Sequence, residues 1–273
     1  MEIVDATPPV PAEGSPDSKA PLEITSVFVS PAPWIRDDMI PVLIRSEIPV
    51  YVVAGHDFIP RICRKFPGAI LYVYAERSMG NEKVDWPRLF DTWTSLFIEC
   101  SITVVFLDRA LTPARQKELR KTGFSTAFIE LNQNIRNIMN MIYGIATTLN
   151  QKARRKAIRV SCEKVGVAPE YNVQVGTITF RGTVRDISSS GMAAYIPADY
   201  QGPLQEGSEL RSLQLQLKGN RILVNAQLMA VREIDNKRVM VVLFKWNDDK
   251  RSKERIHQYI GAQLQDEINL VLK

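Results

Sequence analysis

Cysteine and histidine are scarce in this chain of 273 residues. Cys63, Cys100 and Cys162 are scattered, odd in number and form no CxxC pair, which argues against a disulfide framework or a structural zinc site. With only His56 and His257 present, most histidine-based catalysis and most histidine-rich metal sites are excluded. Unpaired thiols are typical of a reducing compartment, so we expect a cytoplasmic protein without a metal or a cofactor.

Long apolar runs and catalytic motifs are also missing. No run approaches the roughly 18 residues of a membrane span, so no transmembrane segment is predicted. The first eleven residues are acidic and proline-rich without a basic segment, unlike a secretory signal peptide. The sequence contains no GxGxxG motif, no GxxxxGK[ST] motif and no nucleophile elbow. It also contains no pair of carboxylates at a spacing that would indicate a catalytic pair. We therefore expect a protein that is not an enzyme.

What is present is an ordinary globular composition with an uneven charge. Hydrophobic residues make up 45% and charged residues 24% of the chain, whose length suits two domains. Residues 1–23 carry five acidic side chains and one lysine, a net charge of −4. Because the whole chain has a net charge of +5, the remaining residues carry a net charge of +9. A basic folded part suggests an anionic partner: nucleic acid, a nucleotide or a lipid surface.

The first half of the chain alternates between strand-like and helix-like segments. Residues 1–22 contain five prolines among Gly, Ser and Asp and are predicted to be a disordered tail. Strands are predicted at 24–30, 49–53, 69–74, 102–107 and 126–131, and helices near 36–46, 57–66, 86–99 and 112–122. Apolar runs separated by helices indicate a parallel sheet covered on two sides. Residues 23–131 are thus predicted to form a doubly wound, flavodoxin-like α/β domain.

A long helix and linker is predicted over residues 132–153. Its apolar residues follow a 3-4-3-4 spacing and share one stripe: Ile135, Ile138, Ile142, Ile145 and Leu149. Such a stripe either packs on the N-terminal sheet or forms the seam of a homodimer, and two heptads do not decide between them.

After Gln151 the pattern becomes all-β. Apolar and polar residues alternate in 213–217 and 222–230, and 237–246 is strand-like. Short strands separated by turn residues favour a small sandwich or barrel. A helix near 249–270 closes the chain, so residues 154–273 are predicted to form a β domain with a C-terminal helix.

Two polar clusters in this region carry chemistry. In Lys152–Arg159 five of eight residues are basic and none is acidic. The forked guanidinium groups of Arg155 and Arg159, four residues apart, suit phosphate oxygens or the O6/N7 edge of guanine. The alternative is a solvated charge run.

The second cluster is Asp186–Gly191. Asp186 continues the apolar alternation of residues 178–184, so it either ends the strand or is buried with a partner. A carboxylate accepts from the N1–H and N2–H₂ donors of guanine, a match that adenine does not offer. Ser188 adds a hydroxyl, and Gly191 permits a positive φ or a close backbone approach. The alternative is a plain turn between strands.

Together, an RxxxR loop (155–159), a strand and a DxSxxG motif (186–191) resemble the PilZ family over about residues 154–260. The resemblance implies a six-stranded β-barrel that binds the bacterial second messenger cyclic di-GMP. In that family an arginine directly before RxxxR, here Arg154, tends to accompany an intercalated pair of ligand molecules.

The resemblance also assigns roles to positions of this chain. The arginines would reach phosphates and guanine edges, Asp186 would hydrogen-bond one guanine with help from Ser188, and Gly191 would keep the barrel surface open. The predicted ligand-binding residues are Arg154, Arg155, Arg159, Asp186, Ser188 and Gly191.

The β-α order of the N-terminal domain resembles a response-regulator receiver. Receivers need an aspartate at the end of the third strand, an acidic pair after the first and a lysine after the fifth. Here those strands run to Glu76, Ser30 and Asn132. Asp37 and Asp38 lie well past the first strand and are expected to begin a helix. A receiver-like domain that is incompetent for phosphorylation is the resulting prediction.

The leading hypothesis is a bacterial, non-catalytic cyclic di-GMP effector. Ligand binding would order the loop at 154–159 and change the arrangement of the two domains relative to each other. The changed arrangement would signal to an unidentified protein partner. One alternative is an adaptor that keeps the PilZ barrel but acts through protein contacts without ligand. A nucleic-acid binder using 152–159 has little support, because few aromatic residues lie near that segment.

Overall fold

The computed structural model describes residues 25–75, 78–79, 82–94, 100–122, 125–149, 157–164, 166–246 and 249–273. The predicted tail, residues 1–22, lies outside this part of the chain. So do Arg154 and Arg155 of the basic cluster, and the end of the predicted long helix, 150–153. Within the described residues, an α/β region is followed by an all-β region and a final helix.

Parallel pairing organises the first region. Its strands are β1 (Ser26–Val29), β2 (Val50–Val53), β3 (Ile70–Tyr74), β4 (Ser78–Met79), β5 (Glu82–Lys83), β6 (Thr103–Asp108) and β7 (Ser125–Glu130). Five of them form one sheet in the order β2-β1-β3-β6-β7, in which all neighbours are parallel. The pair β4–β5 is antiparallel and separate. All four residues of β1 are buried, as its uninterrupted apolar run predicts. The predicted parallel sheet is confirmed.

Helices connect these strands. The helical segments are Ile35–Met39 (a π-helical turn), α1 (Ile40–Arg45), His56–Phe58 (3-10), α2 (Ile59–Lys65), α3 (Trp86–Thr94), α4 (Pro113–Leu119) and Arg120–Thr122 (3-10). Thr112 caps α4 by accepting a hydrogen bond from the Arg115 N–H at 3.2 Å, and Pro113 fills the first turn. Asp37 and Asp38 lie in the first helical turn after β1, as expected.

The apolar stripe of α5 (Ile135–Leu149) is divided between the core and solvent. Its buried row is Ile138, Ile142 and Ala146, which follow one another at intervals of four residues. Ile135 is 48% exposed and Leu149 38% exposed. The middle of the stripe therefore packs within the N-terminal domain, while its ends face solvent.

The second region is a closed barrel. Its strands are β8 (Arg159–Ser161), β9 (Glu170–Val175), β10 (Ile178–Ser188), β11 (Gly191–Tyr195), β12 (Glu209–Leu217), β13 (Asn220–Ile234) and β14 (Lys237–Lys245). Six of them form a ring, β9-β10-β11-β14-β13-β12, which closes through the pairing of β12 with β9. Strand β8 adds to the end of β10. The alternating residues of β12 and β13 fill the interior, and the predicted six-stranded barrel is confirmed.

Helix α6 (Lys250–Leu272) joins the barrel to the N-terminal domain. Asp249 caps it by accepting a hydrogen bond from the Ser252 N–H at 3.0 Å. On the domain side, the Gln265 amide group bonds both the N–H and the C=O of Val52, at 3.3 and 2.9 Å. The helix therefore fixes one edge of the parallel sheet against the barrel. None of the described helices is both long and apolar enough to cross a membrane.

Candidate ligand-binding cleft between the domains

A β-bulge decides the direction of Asp186. Val184 pairs with Ala194 and Asp186 pairs with Ala193, so Arg185 is an extra residue in β10. A bulge reverses the alternation of the strand beyond it. Ile187 accordingly takes the core position, and the Asp186 side chain, 14% exposed, turns away from the core. Asp186 does not end the strand, which runs on to Ser188; its mostly buried side chain has arginine partners, which is the second of the two alternatives from the sequence.

The Asp186 carboxylate lies between two guanidinium groups. Its Oδ1 atom is 3.4 Å from Arg159 Nε, and its Oδ2 atom is 3.7 Å from Arg185 Nη1. Oδ1 is buried, yet it accepts no hydrogen bond from any residue in the described part of the chain. An unsatisfied buried acceptor costs about 1–3 kcal/mol. The site thus combines a buried acceptor that lacks a hydrogen-bond donor among the described residues with two neighbouring cations.

Strand pairing brings the two sequence motifs together. Arg159, the first residue of β8, lies directly opposite Ser188 of β10, and Ser161 lies opposite Asp186. Of the three predicted arginines, only Arg159 falls within the described residues. Its side chain is 47% exposed, so it is accessible to a ligand.

Ser188 and Gly191 build the turn behind the cleft. The buried Ser188 hydroxyl donates to the Gly191 carbonyl oxygen at 3.1 Å and lies 3.0 Å from the Ser190 hydroxyl. A Cβ atom at Gly191 would lie 2.2 Å from the Val242 carbonyl oxygen. The close approach of β11 to β14 therefore requires the glycine, and its φ is not in the positive range.

A cleft of about 570 Å³ lies between the barrel and the N-terminal domain, with Arg159 and Asp186 on its wall. Ser188 and Gly191 are not among the described residues that line it. The other charged wall residues are Glu47, Lys65, Glu163, Lys164, Arg185 and Glu267. Sequence reasoning missed this set. The position of Arg185 beside Asp186 was a usable signal, whereas no motif marks Glu47 or Lys65.

Glu47 links the N-terminal domain to both motifs. Its carboxylate accepts hydrogen bonds from the Ile158 N–H at 2.9 Å and from the Ser189 hydroxyl. It also lies 3.2 Å from His257 Nε2 of α6. An ionised carboxylate only accepts, so Nε2 carries a proton here. Ile158 precedes Arg159, and Ser189 lies within DxSxxG, so one side chain contacts both segments.

The environment of Glu47 favours its ionised form. Burial by itself opposes ionisation, but hydrogen bonds from His257, Ser189 and the Ile158 N–H outweigh it and hold the pKa of Glu47 below its usual value. The backbone of Glu47 has a φ of +61°, a conformation that non-glycine residues rarely adopt. Two backbone hydrogen bonds that close the end of α1 hold it there: the Glu47 N–H donates to the Ile44 carbonyl oxygen and the Ile48 N–H to the Leu43 carbonyl oxygen, both at 3.0 Å.

Residues 153–262 match the model of the PilZ domain family. Solved structures similar to this chain include the PilZ domain of Escherichia coli YcgR with c-di-GMP, at 21% identity, covering 43% of this chain and 96% of that one, with a TM-score of 0.37. Bacillus subtilis Inhibitor of motility (MotI/DgrA) is 19% identical, covering 43% and 52%, with a TM-score of 0.35. The K. pneumonia MrkH–c-di-GMP complex is 19% identical, covering 38% and 51%, with a TM-score of 0.34.

These similarities cover less than half of this chain and, for two of the three structures, about half of the other chain. The matched region spans about half of the MotI and MrkH chains, and in this chain the family match ends within α6. Comparison with curated proteins found no match.

Proposed function

We propose that this protein is a bacterial, cytoplasmic, non-catalytic effector that binds cyclic di-GMP in the cleft beside Arg159 and Asp186. The observation that carries the proposal is the Asp186 carboxylate, whose buried Oδ1 lacks a hydrogen-bond donor among the described residues while two arginines flank it. It lies within the segment that matches the PilZ domain.

The chemistry of the wall suits this ligand. Cyclic di-GMP offers two phosphates and two guanines. A guanine placed at Asp186 would supply the missing donors through N1–H and N2–H₂, while Arg159 and Arg185 would turn toward phosphate oxygens or the O6/N7 edge. We assign Arg154 and Arg155 to the same ligand, with Arg154 favouring an intercalated pair of molecules. Ser188 and Gly191 would act by holding the turn that carries Asp186.

Glu47 offers a route from the ligand to the domain arrangement. A ligand that moves Arg159 and Asp186 also moves Ile158 and Ser189, which supply two of the three hydrogen bonds that Glu47 accepts. The free energy of ligand binding and that of the domain contact are then coupled, and the coupling is reciprocal. The output is a changed surface for a downstream protein partner.

For the domains we propose an α/β unit over 23–131, a helix and linker over 132–153, and the barrel unit over 154–273. The strand order β2-β1-β3-β6-β7 supports a flavodoxin-like or receiver-like reading of the first unit. Ala75 follows β3, where a receiver has its phosphorylated aspartate. Asp108, the last residue of β6, is buried and accepts a hydrogen bond from the Ala110 N–H at 3.2 Å, which is a structural role. These residues favour an N-terminal domain that is not phosphorylated.

The test is calorimetric titration of cyclic di-GMP into the full chain and its variants. We expect Asp186→Asn and Arg155→Ala to abolish binding while the thermal unfolding transition persists. Asp199→Asn removes an exposed carboxylate that belongs to neither motif and does not line the cleft, and this variant should bind as the unmodified protein does. Unchanged affinity in both site variants would refute the site.

A second function has one observation in its favour. Arg159 and Arg185 already neutralise Asp186 from within the protein, which is the state that an adaptor acting without ligand would keep. A folded sample that ignores cyclic di-GMP but captures a protein partner in the same way with or without the messenger would favour the adaptor.

A further inference from the structure

We infer that the N-terminal domain contributes a direct ligand contact, Lys65, so that the messenger is bound across both domains. The inference rests on the proposed function. Lys65 is the last residue of α2, and it lines the same cleft that Arg159, Arg185 and Asp186 line from the barrel.

The charges on the wall single out Lys65. Each acidic side chain of the wall has an ion-pair or hydrogen-bond partner within the protein. Asp186 pairs with Arg159 and Arg185, and Glu267 pairs with Lys164 and accepts a hydrogen bond from Tyr51. Glu163 accepts a hydrogen bond from Tyr195, and Glu47 contacts His257. The Lys65 side chain forms no hydrogen bond or ion pair with the described residues. It is therefore the wall cation whose charge the described part of the protein leaves without a counter-ion.

The position of Lys65 is fixed by its neighbour. The Phe66 ring packs against Tyr51 of β2, with ring centroids 5.1 Å apart, and the Phe66 N–H donates to the Ile62 carbonyl oxygen at 2.8 Å. The end of α2 is thus anchored to the parallel sheet. The Lys65 ammonium group extends from a rigid element and not from a loop.

The matching ligand group is a phosphodiester. A lysine ammonium group binds phosphate as a point charge, and a concave wall with an uncompensated cation attracts anions. The cleft, at about 570 Å³, lies in the size range of small-molecule sites. With one phosphate of cyclic di-GMP at the arginines of the barrel, the second phosphate of the same ring is the group left to meet Lys65.

Arg64 provides a matched control. It precedes Lys65 in the last turn of α2, carries the same charge and is exposed, but it does not line the cleft. Any effect of charge on the helix end, where cations are favourable, is shared by the two residues. A difference between their variants therefore reports on the cleft.

The experiment is calorimetric titration of cyclic di-GMP into the full chain, Lys65→Ala, Lys65→Arg and Arg64→Ala. We expect Lys65→Ala to weaken binding about tenfold, as the loss of one charge-assisted contact does, and to lower the salt dependence of the affinity. Lys65→Arg should retain most of the affinity, and Arg64→Ala should change it less than about twofold, the range of exposed charges.

The outcomes separate this inference from the function on which it rests. If the unmodified protein binds and Lys65→Ala binds equally well, the contact is refuted and the proposed function stands. The same holds if Arg64→Ala weakens binding as much as Lys65→Ala. If the folded, unmodified protein does not bind, the proposed function itself fails.

Discussion

At the scale of single residues, the bulge residue Arg185 determines the direction in which the Asp186 side chain points, which the DxSxxG motif alone does not indicate. It shifts the alternation of β10, so that Ile187 enters the core and Asp186 faces the cleft between two guanidinium groups. The sequence alone suggested the opposite face, because residues 178–184 alternate without interruption into Asp186. A bulge depends on the partner strand, here β11, and alternation within one strand does not contain that information.

Gly191 tests whether the DxSxxG turn is built as described. Gly191→Ala would place a Cβ 2.2 Å from the Val242 carbonyl oxygen, and we expect a loss of about 1–3 kcal/mol in the free energy of unfolding. Gly144→Ala in α5 is the control, because a Cβ there meets nothing within 4 Å. It should gain about 0.5–1 kcal/mol through helix propensity. Urea denaturation measures both, and equal stabilities would contradict the packing of β11 on β14.

Glu47 gives the domain contact a pH dependence. Its pKa is lowered in the folded protein, so its stabilisation is complete above its ordinary value of 4.5 and is lost as the pH falls through the lower folded value. The free energy of unfolding of the unmodified protein, compared with that of Glu47→Gln, should show an advantage at pH 7 that shrinks below pH 4.5. A difference that does not vary between pH 7 and pH 3 would refute the ionised contact with His257 and Ser189.

At the scale of elements, the sequence predicted most of what forms. Five apolar runs became the five strands of the parallel sheet, and alternation in 213–217 and 222–230 marked β12 and β13. The stripe of α5 was a weaker guide. Its regular spacing placed five residues on one stripe and left open packing on the sheet or a homodimer seam, whereas the buried row in the structure runs at intervals of four: Ile138, Ile142 and Ala146.

That division of α5 leads to a prediction about assembly. A homodimer seam through the whole stripe would need Ile138 and Ile142, which are already buried within the N-terminal domain. We therefore expect a monomer of 30.9 kDa in light scattering at micromolar concentration. A mass of twice that value, lost on replacing the exposed Ile135 and Leu149 with serine, would instead make α5 a dimer interface.

At the scale of the whole molecule, the proposed function depends on two domains meeting at one cleft. The motifs on the barrel could be recognised in the sequence because their residues are near one another in the chain. Glu47 and Lys65 could not be, because the docking of α6 against β2, α1 and α2 brings them to the barrel. The residues proposed from sequence to bind the ligand thus belong to the barrel side of a cleft whose other side is the N-terminal domain.

The most direct test is calorimetric titration of cyclic di-GMP and, separately, cyclic di-AMP into the unmodified chain. The acceptor carboxylate of Asp186 predicts saturable binding of the guanine ligand at micromolar or lower concentration and at least tenfold weaker binding of the adenine ligand, which lacks the paired donors. The molar ratio gives one or two messengers per site. No heat from a well-folded sample, or equal affinity for the two dinucleotides, would contradict recognition at Asp186.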